Sequence, residues 1–214
     1  MKPEKILFVF SLTLRATIVL AIISATLNMQ WTVLFVSSLA LILTFLPALF
    51  ERNYKIFLPA EFEIIIVAFI YTAIFLGEVH SYYTKFFWWD IVLHAISSMV
   101  FGFIGFLILY VLYDKKKIAA SPLTIAVFSF TFAVAIGALW EIFEFVMDST
   151  IGLNMQKSGL VDTMWDLIVD SIGALVTSVL GSLYIKGGKS RIFEGMVNKF
   201  IHENPKLFGD KFKN

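Results

Sequence analysis

No cysteine occurs in these 214 residues. That excludes disulfides, a thiolate nucleophile and thiolate-held metal or iron–sulfur centres, so any metal has to be held by oxygen and imidazole. Charge is scarce as well: Asp, Glu, Lys and Arg make up 15% of the chain, against about 25% in ordinary soluble domains. With three histidines and a net charge of +1, no nucleic-acid partner is expected. The sequence KGGKS near Lys186 is not a phosphate loop, because the G-x-x-x-x-G-K spacing is missing.

What is abundant is apolar surface. Hydrophobic residues reach 59% and the mean hydropathy is +0.84, the composition of an integral membrane protein. Six runs are long enough to cross roughly 30 Å of hydrocarbon at about 1.5 Å per residue: Ile6–Thr26, Trp31–Phe50, Glu61–Gly77, Trp89–Tyr113, Pro122–Met147 and Met164–Lys186. The first resembles a signal peptide, but its run is too long and no clean small-residue cleavage site follows, so it is read as retained. Ser121-Pro122 is a helix start, and Pro47 and Pro59 fall near helix ends, where proline does least harm. The expected fold is therefore all-α, a polytopic bundle of six transmembrane helices over residues 1–186.

Basic residues give the orientation. Lys2 and Lys5, Arg52 and Lys55, Lys115 to Lys117, and Lys186, Lys189 and Arg191 flank alternate loops, whereas the other three loops carry only Lys85 and Lys157. Both termini are expected in the cytoplasm of a plasma-membrane protein. Residues 187–214 read as a cytoplasmic tail with an amphipathic helix, Phe193, Met196, Val197, Phe200 and Ile201 on one face, drawn to anionic headgroups at the inner surface.

Under this topology the acids gather at one depth. Asp90 and His94 share a face of the fourth span; Glu141, Glu144 and Asp148 share one on the fifth; Asp162, Asp166 and Asp170 share one on the sixth. All lie within about three turns, roughly 15 Å, of the outer boundary. Trp89-Asp90, Trp140-Glu141 and Trp165-Asp166 each put an interfacial tryptophan directly before an acid. An unpaired carboxylate in hydrocarbon costs at least about 2.5 kcal/mol, so repeated acids in spans point to function. Several of them in one low-dielectric pocket cannot all stay ionised uncompensated. A divalent cation is the simplest remedy, shared protons or salt bridges the others. One His among carboxylates suits Zn²⁺, Mn²⁺, Fe²⁺, Mg²⁺ or Ca²⁺, singly or as a pair. The expected metal set is Asp90, His94, Glu141, Glu144, Asp166 and Asp170, with Glu144 and Asp166 as the catalytic acids.

Plainer roles compete for the flanking residues. Asp148 and Asp162 sit where helix-capping acids are ordinary, and Glu61 and Glu63 begin the third span. Glu78 and His80 read as loop residues. Arg15, midway through the first span, needs a partner: the acidic cluster, an anion, or a structural ion pair. Ala133 and Gly137 on the fifth span, Gly102 and Gly105 on the fourth, and Gly173, Thr177 and Gly181 on the sixth form small-residue stripes that let helices approach closely.

Three segments carry a family resemblance: FFWWDIVLHAISSMVFGF at Phe86–Phe103, GALWEIFEF at Gly137–Phe145 and VDTMWDLIVDSIGA at Val161–Ala174. Over these, about half of the chain, the sequence resembles the YjdF-like family of uncharacterised multi-pass inner-membrane proteins, a domain of unknown function. The resemblance implies a multi-pass plasma-membrane protein and no reaction. From the residues, the leading expectation is a metal-dependent hydrolase or transferase acting on a lipid or lipid-linked substrate at the outer leaflet. A cation- or proton-coupled transporter and a non-catalytic module with a structural metal are the alternatives. The bilayer is the expected partner, and an oligomer is compatible with the sequence.

Overall fold

A computed structural model describes residues 3–188 and 190–208. Lys2, Lys189 and the last six residues of the expected tail lie outside them. Among the described residues every regular element is helical, and six helical stretches are long and apolar enough to cross a membrane: Lys5–Leu27, Trp31–Tyr54, Ala60–Val79, Trp89–Asp114, Pro122–Ile151 and Leu160–Ile185. The chain divides into two compact units, Met1–Trp89 and Asp90–Asn214.

In the first unit, α1 (Pro3–Leu27) packs on α2 (Trp31–Leu43), and Ile18, Ala40 and Phe75 are the buried centre. The second span is not one helix. It breaks at Thr44-Phe45 and resumes as α3 (Leu46–Tyr54), because Pro47 has no N–H to continue the ladder. Arg15 meets that break. Its Nη2 donates to the Thr44 carbonyl at 2.8 Å and its Nε to the Thr44 hydroxyl at 3.1 Å, while the guanidinium lies 4.0 Å from the centre of the Phe45 ring. Its hydrogen bonds therefore go to a backbone carbonyl freed by a helix break and to the neighbouring hydroxyl, which itself donates to the Leu41 carbonyl at 2.7 Å, a role the sequence reading did not include. The third span starts at α4 (Ala60–Ile70), with Pro59 as its N-cap, and changes to a π-helix over Tyr71–Val79 that the apolar pattern does not signal. Glu78 is exposed there, and exposed His80 stands edge-on against Phe75 at 5.0 Å and Tyr82 at 6.5 Å, the latter in the short α5 (Tyr82–Lys85).

The second unit holds three long helices, α6 (Trp89–Asp114), α7 (Pro122–Ile151) and α8 (Leu160–Ile185). Ser121 caps α7, its Oγ accepting from the Thr124 N–H at 3.0 Å, and Gly152 ends it in a left-handed turn at φ +74°. The fifth and sixth spans thus each run one turn further toward their shared loop than hydropathy suggests. Close approach depends on small residues: a Cβ on Gly173 would overlap Ser98 Oγ, and one on Gly137 would overlap the Asp170 carboxylate. Buried hydroxyls tie the helices together. Ser129 Oγ donates to the Gly102 carbonyl at 2.6 Å and Thr177 Oγ1 to the Met99 carbonyl at 3.2 Å.

The amphipathic helix expected in the tail is α9 (Arg191–Glu203), followed by α10 (Pro205–Phe208). Its apolar face differs from expectation. Phe193, Val197, Phe200 and Ile201 are buried in the protein, with Phe193 edge-on to Phe103 and Phe106 at 5.3 and 5.1 Å and Phe208 6.0 Å from Tyr110. Helices α6 and α8 bury a stripe of aromatics at that end, and α9 covers it, so the face that hydropathy assigns to lipid meets protein.

Candidate metal centre

The acids of α6, α7 and α8 come together at the end of the second unit where Asp90, Ile151 and Leu160 lie. Asp90 and His94 stand in the first two turns of α6, Glu141 and Glu144 in the last three turns of α7, and Asp162, Asp166 and Asp170 in the first three of α8. Helical rotation separates each tryptophan from its acid by about 100°. Trp140 and Trp165 face outward, 47% and 59% exposed, while Glu141 and Asp166 turn inward at 4% and 3%.

His94 is the hub. Its Nδ1 lies 3.3 Å from both Oδ atoms of Asp170, whose carboxylate is seated in the space that Gly137 leaves open. Its Nε2 looks the other way, 3.8 Å from Asp90 Oδ1 and 3.8 Å from Glu141 Oε1. A carboxylate on one imidazole nitrogen with further carboxylates facing the other is the second-shell arrangement of metal-binding histidines, in which the carboxylate fixes ring orientation and tautomer. His94, Glu141 and Asp166 offer ligand atoms all within 4.8 Å of one another, and so do Asp90, Asp162 and Asp166. Donors on one ion with bonds of about 2.0–2.4 Å sit about 3–4 Å apart, so the 3.8 Å spacing fits a cation with a small adjustment.

Neither oxygen of Glu141 has a hydrogen-bond partner, nor do Asp166 Oδ2 and Asp162 Oδ2, although each of these atoms is buried. The Thr163 hydroxyl is close enough to Glu141 to influence it but does not meet it with hydrogen-bond geometry. Buried acceptors are almost always satisfied, and an orphan costs about 1–3 kcal/mol, more when charged. Two groups among the described residues can offset this charge: Lys157, from the loop after α7, pairs with Asp90 Oδ2, and His94 contributes positive charge only when protonated.

The expected residues thus divide by role. Asp90, His94, Glu141 and Asp166 converge with ligand atoms in the two groups. Asp170 reaches the group through His94. Glu144 is buried beside it but lies outside both groups, its Oε1 accepting from Trp140 Nε1 at 2.9 Å. Asp148 is a cap, accepting from the backbone N–H groups of Met155 and Gln156 at 2.8 and 2.9 Å. Asp162, by contrast, makes no capping hydrogen bond to the start of α8 and turns to Asp90 and Asp166. Its i, i+4 spacing to Asp166 was the signal for that. Lys157 carried no signal beyond its charge, since only the loop conformation brings it to Asp90.

The family profile described as "Predicted membrane protein (DUF2238)" matches residues 6–187. The chain belongs to this family. An uncharacterised protein of Thermotoga maritima is 29% identical over 129 residues, 60% of this chain and 66% of that protein, so the match spans just under two thirds of the relative's length. No solved structure gives a significant match. The resemblance carried by the last three spans is borne out as membership of an uncharacterised membrane-protein family.

Proposed function

We propose that this DUF2238 protein binds a divalent cation between α6, α7 and α8, at the extracytoplasmic side of the plasma membrane, and uses it to hydrolyse or transfer a group on a lipid or lipid-linked substrate. The observation that carries the reading is buried Glu141, neither of whose carboxylate oxygens has a hydrogen-bond partner, with Oε1 facing His94 Nε2. A cation there supplies the charge that the buried acids lack. It would also polarise a phosphoryl or carbonyl oxygen and lower the pKa of a bound water toward neutrality. His94, Glu141 and Asp166 would be ligands, Asp170 would orient His94, and Glu144, buried beside the ligand groups, would serve as general base.

Transport through the second unit is the weaker reading. Among its described residues, the buried hydroxyls beyond the cluster donate to backbone carbonyls: Ser98 to Ala95, Ser129 to Gly102, Thr177 to Met99, Ser178 to Leu175. The aromatic rings of Phe103, Phe106 and Phe193 close the far end. Among the described residues, no buried charged side chain lies along these three helices beyond the cluster.

The test is elemental analysis of protein purified in detergent without chelator, alongside Glu141→Ala and Asp166→Ala. Bound divalent metal in the wild type and its loss in both variants is expected. Metal retained in both variants, or none in the wild type after reloading, rejects the site. With metal bound, chelator-sensitive hydrolysis of phosphoester or acyl-ester lipids in mixed micelles is expected, and bound metal with no turnover on either class would leave the structural-metal reading.

A further inference from the structure

We propose that the site is built for two divalent cations rather than one, with the Asp166 carboxylate bridging them. The inference rests on the metal-binding reading above and goes beyond it in number and arrangement. Asp166 is common to the two ligand groups, one completed by His94 and Glu141, the other by Asp90 and Asp162. A carboxylate has an oxygen for each of two ions, and ions sharing such a ligand lie about 3.5–4 Å apart, the spacing of two-metal hydrolytic centres.

Each half has an orphaned acceptor of its own. In the first it is Glu141, with neither oxygen hydrogen-bonded; in the second it is Asp162, with a buried Oδ2 that has no hydrogen-bond partner. Asp166 Oδ2, on a side chain 3% exposed, is unpartnered between them. One ion placed among His94, Glu141 and Asp166 leaves Asp90 and Asp162 to share the single charge of Lys157, with Asp162 Oδ2 still lacking a hydrogen-bond donor. Charge argues the same way. Asp90, Glu141, Asp162, Asp166 and Asp170 surround His94, so a single dication beside Lys157 still leaves an excess of negative charge. Like charges this close repel strongly where the surroundings screen them poorly. A second dication removes that excess. The two halves differ in exposure: His94, Glu141 and Asp166 are buried, whereas Asp90 and Asp162 are half-buried. The His-containing position is therefore the inner one, and the all-carboxylate position is the outer one, where an ion exchanges more readily and harder, oxygen-preferring cations such as Mn²⁺ or Mg²⁺ fit best.

The experiment is Mn²⁺ loading of the full chain in detergent, with stoichiometry by elemental analysis and pairing by electron paramagnetic resonance. The wild type should hold two ions per chain with the broadened signal of a coupled manganese pair. Asp162→Asn should fall to one ion with an uncoupled signal, Glu141→Gln should also lose the coupled signal, and Asp166→Asn should lose both ions. Because Asp162 is half-buried in the first turn of α8, its variant carries the test if Asp166→Asn fails to fold. One ion in the wild type, unchanged in Asp162→Asn, overturns the pair and leaves the single-metal reading standing. No ion in the wild type overturns both.

Discussion

At the scale of single residues, acids of one kind meet different partners across the helices. Glu141, Asp166 and Asp170 are alike in sequence, each an acid inside an apolar helix. What separates them is the partner on another helix: Asp170 meets His94 Nδ1, while Glu141 faces Nε2. No spacing rule along one helix reports which ring nitrogen a carboxylate will find. The distinction is measurable. Asp170→Asn keeps the shape and removes the charge that orients the imidazole, and second-shell changes of this kind typically cost 10–100-fold in metal affinity. Titration with Mn²⁺ or Zn²⁺ should show a loss of about that size, with the ion still bound at saturation. Lys157 works in the opposite sense, since its ammonium already answers Asp90. Lys157→Met should tighten cation binding several-fold, and an unchanged or weakened affinity would mean that the lysine supports the site rather than competing with the ion.

At the scale of elements, the six spans follow from hydropathy and the helix ends from capping chemistry. Ser121-Pro122 opens α7 as expected. The interruptions were harder to see. Pro47 marks the break between α2 and α3, yet the sequence does not say that Arg15 will bind the freed Thr44 carbonyl, because that requires α1 to lie beside the break. The π-helix over Tyr71–Val79 has no counterpart in the apolar pattern at all. The small-residue stripe on α7 was legible, and its purpose is now specific. Gly137 makes room for a carboxylate as well as for a helix. Gly137→Ala drives a methyl group into Asp170, and overpacking of this kind costs about 1–3 kcal/mol. The expected outcome is a lower melting temperature together with weaker metal binding, whereas Gly195→Ala, inside α9 where a Cβ would meet nothing within 4 Å, should leave metal binding unchanged and the melting temperature the same or slightly higher.

At the scale of the whole molecule, membership of a membrane family and six crossing helices agree with the composition. Hydropathy could not assign the tail helix, since an amphipathic segment presents the same pattern to a lipid surface and to a protein groove. In the structure α9 lays its apolar face on the aromatics of α6 and α8. Phe193→Ala should therefore destabilise the second unit by about 3 kcal/mol, read as a fall in thermal unfolding temperature in detergent; a helix resting only on headgroups would show no such change. The hairpin between α7 and α8 carries a different consequence. Asp148 holds the backbone of Met155 and Gln156, Gln156 Nε2 reaches Thr163 Oγ1 at 2.7 Å, and the next residue, Lys157, is delivered to Asp90. Its length is thus a fixed dimension, like the shank of a key. Inserting two glycines after Gly152 should disturb ion binding while leaving the helices intact, whereas the same insertion in the Lys115–Lys117 turn should pass unnoticed at the metal.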